Sequence, residues 1–322
     1  MHYALVFSTS KLPVLDSSPT NNDDASTWLS DLTSFFAFLY PDGKATWLDN
    51  GCAAEIICHP SASFAAAHIN KDAAFQTLRN AAAARQLDVN IVPAIGRRKK
   101  LLIADMDSTI ITSESLDDLA EMAGIGEAVA AITKRSIMGE IDFEDALVER
   151  VAMLRGHPSK LFDALIAKVE PTSGANTLVQ TMRANGAKCY LVSGGFDFIT
   201  EPIATLCGFQ AHHANHLNVD DGKIVGTLKM PVLDREAKAS YLAHYCKIHG
   251  IGANEAAAIG DGANDLAMLE AAGMGVAFAS KPILRDRITI QLNYSDLRGL
   301  LYLQGYHKDD FIFGQTKIQK LD

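Results

Sequence analysis

Four short stretches of this 322-residue chain carry side chains able to do chemistry. Asp105-Met106-Asp107-Ser108-Thr109 follows the apolar run Leu101–Ala104 and sets two carboxylates at i and i+2. In extended chain that spacing points both to one side. Crowded carboxylates repel by about 4 kcal/mol at roughly 4 Å and an effective dielectric near 20, so a cation or a proton must reconcile them. Ser193-Gly194-Gly195 ends a second apolar run and offers a hydroxyl and open backbone N–H groups to an anion. Lys238 lies early in a helical stretch, and Gly260-Asp261-Gly262-Ala263-Asn264-Asp265 ends a third apolar run with two more carboxylates and an amide. Each has an ordinary reading in isolation: a solvated Asp-x-Asp turn, a strand-to-helix turn, a surface lysine, an acidic helix start. Together they supply what phosphoryl transfer needs. Asp105, Asp107 and Asp261 are carboxylates for a divalent cation. Ser193, the Gly194 N–H and Lys238 can neutralise phosphate oxygens. Asp105 can attack phosphorus.

The elements that must position these residues follow from periodicity. Leu101–Ala104, Cys189–Val192, Ala256–Ile259 and Val276–Phe278 are short and wholly apolar, as strands buried on both faces of a parallel sheet are. Amphipathic helical stretches lie between them, near 174–185, 196–206, 235–249 and 264–272. The alternation predicts a Rossmann-like α/β core with a parallel sheet, and ligands bind such sheets at the carboxyl ends of the strands. Asp220-Asp221-Gly222 reads as the turn of an inserted hairpin. Residues 115–169 read as helix after helix (116–123, 126–136, 143–154, 158–168), a helical-bundle cap inserted after the first core strand. Residues 1–95 read as β-α-β-β-α-β, a small α+β ferredoxin-like domain. Its strands are expected at 3–8, 45–49, 54–59 and 87–92, and its helices at 25–39 and 71–85. The expected organisation is thus 1–95, a catalytic core of 96–114 and 170–305, a cap of 115–169, and a polar tail of 306–322 that adds little to the core. Gly96-Arg97-Arg98-Lys99-Lys100 reads as a solvated basic linker.

In order and spacing, the four motifs resemble those of the haloacid-dehalogenase (HAD) superfamily of phosphohydrolases. Over about 101–303 the chain is similar to its phosphoserine phosphatase family. Glu114 stands at that family's spacing after the first motif, and Phe143 with Glu149-Arg150-Val151 matches its cap. The resemblance implies Mg²⁺-dependent hydrolysis of O-phospho-L-serine through a phospho-aspartate, the last step of serine biosynthesis. Asp105 would be the nucleophile and Asp107 the proton donor and acceptor. Asp105, the Asp107 carbonyl and Asp261 would hold Mg²⁺, and Ser193, Gly194 and Lys238 the phosphate. Glu114 would pair with the substrate ammonium and Arg150 with its carboxylate, beside Phe143 and Asn264. Asp265, with Asn264, would support the metal or orient Lys238. A helix-surface ion pair of Arg150 with Glu149 or a neighbour is the plainer alternative for Arg150. Ile137 stands where the family's Met is expected. Residues 1–95 resemble the ACT-like part of bacterial members, without an apparent glycine signature of ligand-binding ACT domains. A homodimer through that part is implied only by analogy. The competing reading within the superfamily is a phosphatase or phosphotransferase acting on phosphothreonine or homoserine; outside it, a non-catalytic amino-acid sensor, which the intact motif set opposes.

Composition narrows the partners. Lys+Arg 29 against Asp+Glu 38 leaves a net charge of −9, which opposes general nucleic-acid binding and adhesion to an acidic membrane. No apolar run reaches the ~18 residues that span a bilayer, and the N-terminus lacks a signal-peptide pattern. Cys52, Cys58, Cys189, Cys207 and Cys246 form no C-x-x-C pair and read as reduced thiols of a cytoplasmic protein. Adjacent His212 and His213 have no partner at ligand spacing.

Overall fold

The computed structural model describes residues 2–10, 44–58, 72–138 and 140–314. The helix expected at 25–39 lies outside them, as do the side chain of Ile137 and residues 315–322. The amino-terminal strands are β1 (Tyr3–Ser8), β2 (Lys44–Asp49), β3 (Ala53–Cys58) and β4 (Asp88–Pro93), with helix α1 (Ala73–Ala83) before β4. They form an antiparallel sheet in the order β2-β3-β1-β4. Alternation along β1 divides its side chains between two faces. Leu5 and Phe7 join Phe75, Leu78 and Ala82 of α1, whereas Ala4 and Val6 belong to the same apolar cluster as the 101–303 core.

The core strands are β5 (Leu101–Ala104), β6 (Lys188–Phe196), β7 (Ala211–Asn215), β10 (Ala256–Gly260), β11 (Met274–Phe278) and β12 (Ile290–Leu292). They pair in parallel in the order β12-β11-β10-β5-β6-β7. The apolar runs are unbroken because both faces are covered. Leu102 packs toward Leu178 and Met182 of α6 (Ala175–Ala184), and Leu101 and Ile103 toward Leu242 and Tyr245 of α8 (Arg235–His249). Between these helices α7 (Asp197–Cys207) follows β6; α9 (Leu266–Ala271), α10 (Pro282–Arg287) and α11 (Gly299–Leu303) complete the core. The sheet order puts β5 between β6 and β10, so the three motif-bearing strand ends are neighbours.

Residues 115–169 form α2 (Ser115–Met122), α3 (Gly126–Ile137), α4 (Phe143–Met153) and α5 (Leu161–Lys168). The hairpin β8 (Leu217–Asp220)–β9 (Lys223–Leu228) turns at Asp221 and Gly222, both with positive φ, as a tight hairpin requires. It closes onto the cap, where Gly156 N–H donates to Ile224 O at 2.8 Å and Ile224 N–H to His157 O at 2.9 Å. Among the described residues no helix is long and apolar enough to cross a membrane.

Two expectations are corrected. The basic run is only partly solvated: Arg98 and Lys100 are exposed as expected, but Arg97 is half-buried and Lys99 buried. Arg97 pairs with Glu55, Arg98 with Asp310 at 3.0 Å, Lys100 with Glu255 at 2.5 Å, and buried Lys99 donates to Asn254 O at 2.9 Å. The segment after Gly305 does enter the core. Tyr306 and Phe311 are buried there, because two aromatic anchors suffice within an otherwise polar stretch.

Candidate active site

Asp105 sits immediately beyond β5, and its N–H donates to Ile259 O of β10 at 3.0 Å, which ties the strand end to its neighbour. Its carboxylate pairs with Lys238 Nζ, which also donates to Asp265 Oδ1 at 2.6 Å. Lys238 reaches this point from the first turn of α8, a helix started by Asp234 accepting from Ala237 N–H at 2.8 Å. All three groups are buried. Burial and the Asp265 charge raise the Asp105 carboxyl well above the ordinary range against the opposing pull of Lys238. Burial works to lower Lys238, but Asp105 and Asp265 outweigh it and hold the ammonium charged.

Asp107 occupies a different setting. The chain turns at Ser108 (φ 54°), and Ile111 N–H closes the turn on Met106 O at 3.0 Å. Asp107 Oδ1 accepts from Ser115 N–H at the start of α2 at 2.7 Å, and Oδ2 accepts from Ser193 Oγ of β6 at 3.2 Å. Gly195 N–H donates to Ser193 Oγ at 2.9 Å. A β-carbon on Gly195 would stand 2.7 Å from Asp107 Oδ2, so that backbone approach requires glycine. Burial and then Glu114 push the Asp107 carboxyl up to about 6, opposed by the Ser115 and Ser193 hydrogen bonds. The two aspartates predicted to share a side are therefore split, one set against a lysine and one among hydrogen-bond donors.

Asp261, just past β10, is buried; burial raises it to about 6, with Lys281 opposing and Asp265 and Glu114 adding to the rise. Carboxylate oxygens of Asp105, Asp261 and Asp265 lie within 4.8 Å of one another. Such a buried, mutually repelling oxygen set fits a hard divalent cation, which takes oxygen ligands. The Asp107 carboxylate is not in this group, and Asp265 spends both oxygens on Lys238 and on Gly262 N–H (3.0 Å). Its hydrogen bond with Lys238 fits the orienting task expected of Asp265, and its place in the carboxylate cluster fits the metal-supporting one.

Of the further expected residues, Phe143 and Arg150 belong to the cap, whereas Glu114 and Asn264 lie on loops of the core. The Phe143 ring covers Gly194, with Cζ 3.3 Å from where a glycine β-carbon would be. Glu114 Oε1 accepts from Ser108 Oγ at 2.8 Å. Arg150 does not pair with Glu149, which binds Arg135 at 3.0 Å. Instead Arg150 Nε donates to Ala146 O at 3.2 Å and Nη1 to Thr133 Oγ1 at 3.4 Å. Burial lowers the Arg150 guanidinium, while the charges of Asp117 and Glu114 hold it up. Asn264 lies over Gly262, its Oδ1 2.5 Å from where a β-carbon there would be. Sequence reasoning missed Lys281, whose Nζ stands 3.2 Å from Asp261 Oδ2. It follows the fourth apolar run by three residues, so carrying the strand-end search one strand further reaches it.

A family model of haloacid dehalogenase-like hydrolases matches residues 102–270. The chain belongs to that family. The chain is 36% identical over 225 residues to a phosphoserine phosphatase of Archaeoglobus fulgidus, covering 69% of this chain and 65% of that one. It therefore spans a little under two thirds of that relative's length. A solved HAD family hydrolase from Salmonella enterica serovar Typhi covers 94% of this chain and 98% of its own at TM-score 0.78 and 26% identity. The structure of a phospho-aspartyl intermediate analogue of phosphoserine phosphatase is 38% identical at TM-score 0.60, over 63% of this chain and 98% of that one. Cys52, Cys189, Cys207 and Cys246 are free thiols, and burial pushes Cys189 and Cys207 up to about 12, where they are inert.

Proposed function

We propose that this hydrolase converts O-phospho-L-serine and water to L-serine and inorganic phosphate through a phospho-aspartate on Asp105. The observation that carries the reading is the split pair: Asp105 held against Lys238, and Asp107 pinned between Ser115 N–H and Ser193 Oγ with its carboxyl near 6. An Asp105 oxygen attacks phosphorus, the phosphorus–serine oxygen bond breaks, and Asp107 gives its proton to the leaving oxygen. A water then attacks the acyl phosphate while Asp107 takes its proton, and phosphate leaves as the bond to Asp105 breaks. Ser193, the Gly194 N–H and Lys238 hold the phosphoryl oxygens through both steps, with Lys238 fixed by Asp265. The likeness to a phospho-aspartyl intermediate analogue supports this course.

Asp105, Asp261 and the Asp107 carbonyl would hold Mg²⁺. Bound there, the ion supplies neutralisation between an anionic nucleophile and a phosphate dianion. Glu114 receives the substrate ammonium and Arg150 its carboxylate, with Phe143 closing over the phosphate end. The free thiols fit a reducing compartment such as the cytoplasm.

Phosphate release from O-phosphoserine, O-phosphothreonine and an aryl phosphate, with Mg²⁺ and with chelator, tests the reading. O-phosphoserine should be preferred, chelation should abolish turnover, and Arg150→Ala should lose about 100-fold on phosphoserine but only a few-fold on the aryl ester. Equal turnover of all three esters, or equal losses in the variant, would overturn the specificity assignment.

A further inference from the structure

Lys281 belongs to no motif, yet it touches two carboxylates with separate tasks in the proposed reaction. It precedes α10, and its backbone N–H donates to Asp261 O at 3.0 Å. Its Nζ stands 3.2 Å from Asp261 Oδ2 and 3.6 Å from Glu114 Oε1. One ammonium thus bridges the loop after β10 and the entrance to the cap. The backbone hydrogen bond anchors this end of α10 independently of the side chain.

The two lysines of the site contrast sharply. The Lys238 side chain is 1% exposed and locked between two carboxylates, whereas that of Lys281 is 56% exposed. A half-exposed ion pair on a long flexible stem is weak and readily surrendered to solvent. We infer that Lys281 is a resident cation that competes with both cationic ligands and thereby sets their affinities. In the empty site it neutralises Asp261 and Glu114. It then yields Asp261 to the divalent cation and Glu114 to the substrate ammonium. The metal half of this inference needs only the carboxylate cluster; the ammonium half rests on the phosphoserine reading.

The test is calorimetric titration of substrate-free protein with Mg²⁺, for wild type, Lys281→Met and Lys281→Arg. KM is measured in parallel for O-phosphoserine and for phosphoglycolate, which lacks the ammonium. Lys281→Met should bind Mg²⁺ roughly three- to tenfold tighter, while Lys281→Arg, which keeps the charge, should match wild type. At saturating Mg²⁺, Lys281→Met should lower KM for O-phosphoserine several-fold and that for phosphoglycolate less. Unchanged or weaker Mg²⁺ binding in Lys281→Met, or equal tightening in Lys281→Arg, overturns the inference. Equal KM changes on both substrates remove its ammonium half. A wild type inactive on O-phosphoserine defeats the functional reading instead and leaves the Mg²⁺ titration to decide on Lys281.

Discussion

Asp107 and Asp261 are carboxyls that the folded chain holds near 6, above the ordinary carboxylate value of 3.8. Between about pH 4 and 6 the metal-free folded state binds more protons than the unfolded state, so these groups make stability fall as pH rises through that window. The effect reaches about 3 kcal/mol for each group at full shift. A divalent cation favours the ionised forms and offsets the loss where they dominate. Thermal unfolding of chelator-treated protein with and without Mg²⁺ should show a larger gain in Tm at about pH 7.5 than at about pH 5. Asp261→Asn should flatten that difference, and an equal gain at both pH values would contradict it. At this scale the sequence was informative, because residue types at strand ends reveal chemistry directly. What it hid were partners: that Asp105 faces Lys238 while Asp107 faces Ser115 and Ser193 depends on a turn at Ser108 that no pattern encodes.

The elements deliver these residues through close backbone approach. The end of β6 passes so near the turn after β5 that a β-carbon on Gly195 would stand 2.7 Å from Asp107 Oδ2 and 2.9 Å from Ser115 Oγ. Gly195→Ala should therefore displace the Asp107 carboxylate while leaving the sheet intact. We expect kcat to fall about 100-fold, since small displacements of reacting groups carry losses of that order. The unfolding transition should remain cooperative; full activity in the variant would contradict the geometry. Fully apolar strands such as β5 and β10 were legible because both faces are buried. The edge strands β7 and β12 were not, since Ala211–Asn215 carries two histidines and Ile290–Leu292 is only three residues long.

Over the whole molecule, the amino-terminal sheet and the catalytic core share one apolar cluster and a buried polar seam. Asp88 at the start of β4 accepts N–H groups of Asn293 (2.8 Å), Tyr294 (3.0 Å) and Ser295 (2.7 Å). Asn90 Nδ2 donates to Gln291 O at 2.8 Å, and its Oδ1 accepts from Gln291 N–H at 2.9 Å. Tyr302 OH donates to Asp49 Oδ2 at 2.7 Å. Asp88→Ala strips three donors of their acceptor and should cost about 3–5 kcal/mol in urea unfolding, with a loss below about 1 kcal/mol contradicting the seam. The sequence did not foretell this docking, because a polar residue within a strand, such as Asp49, Asp88 or Asn90, carries no pattern that distinguishes a buried partner from solvent. The net charge of −9 was silent on the same point: part of it is interior, at Asp49 and Asp88 of the seam and at Asp105, Asp261 and Asp265 of the strand-end cluster.

The central claim is that Asp105 accepts the phosphoryl group of O-phosphoserine. Acid quenching of the enzyme during turnover of radiolabelled O-phosphoserine, followed by peptide mapping, tests it most directly. The predicted result is hydroxylamine-labile label on the peptide containing Asp105, absent from Asp105→Asn. Label on another peptide, or undiminished turnover in Asp105→Asn, would contradict it.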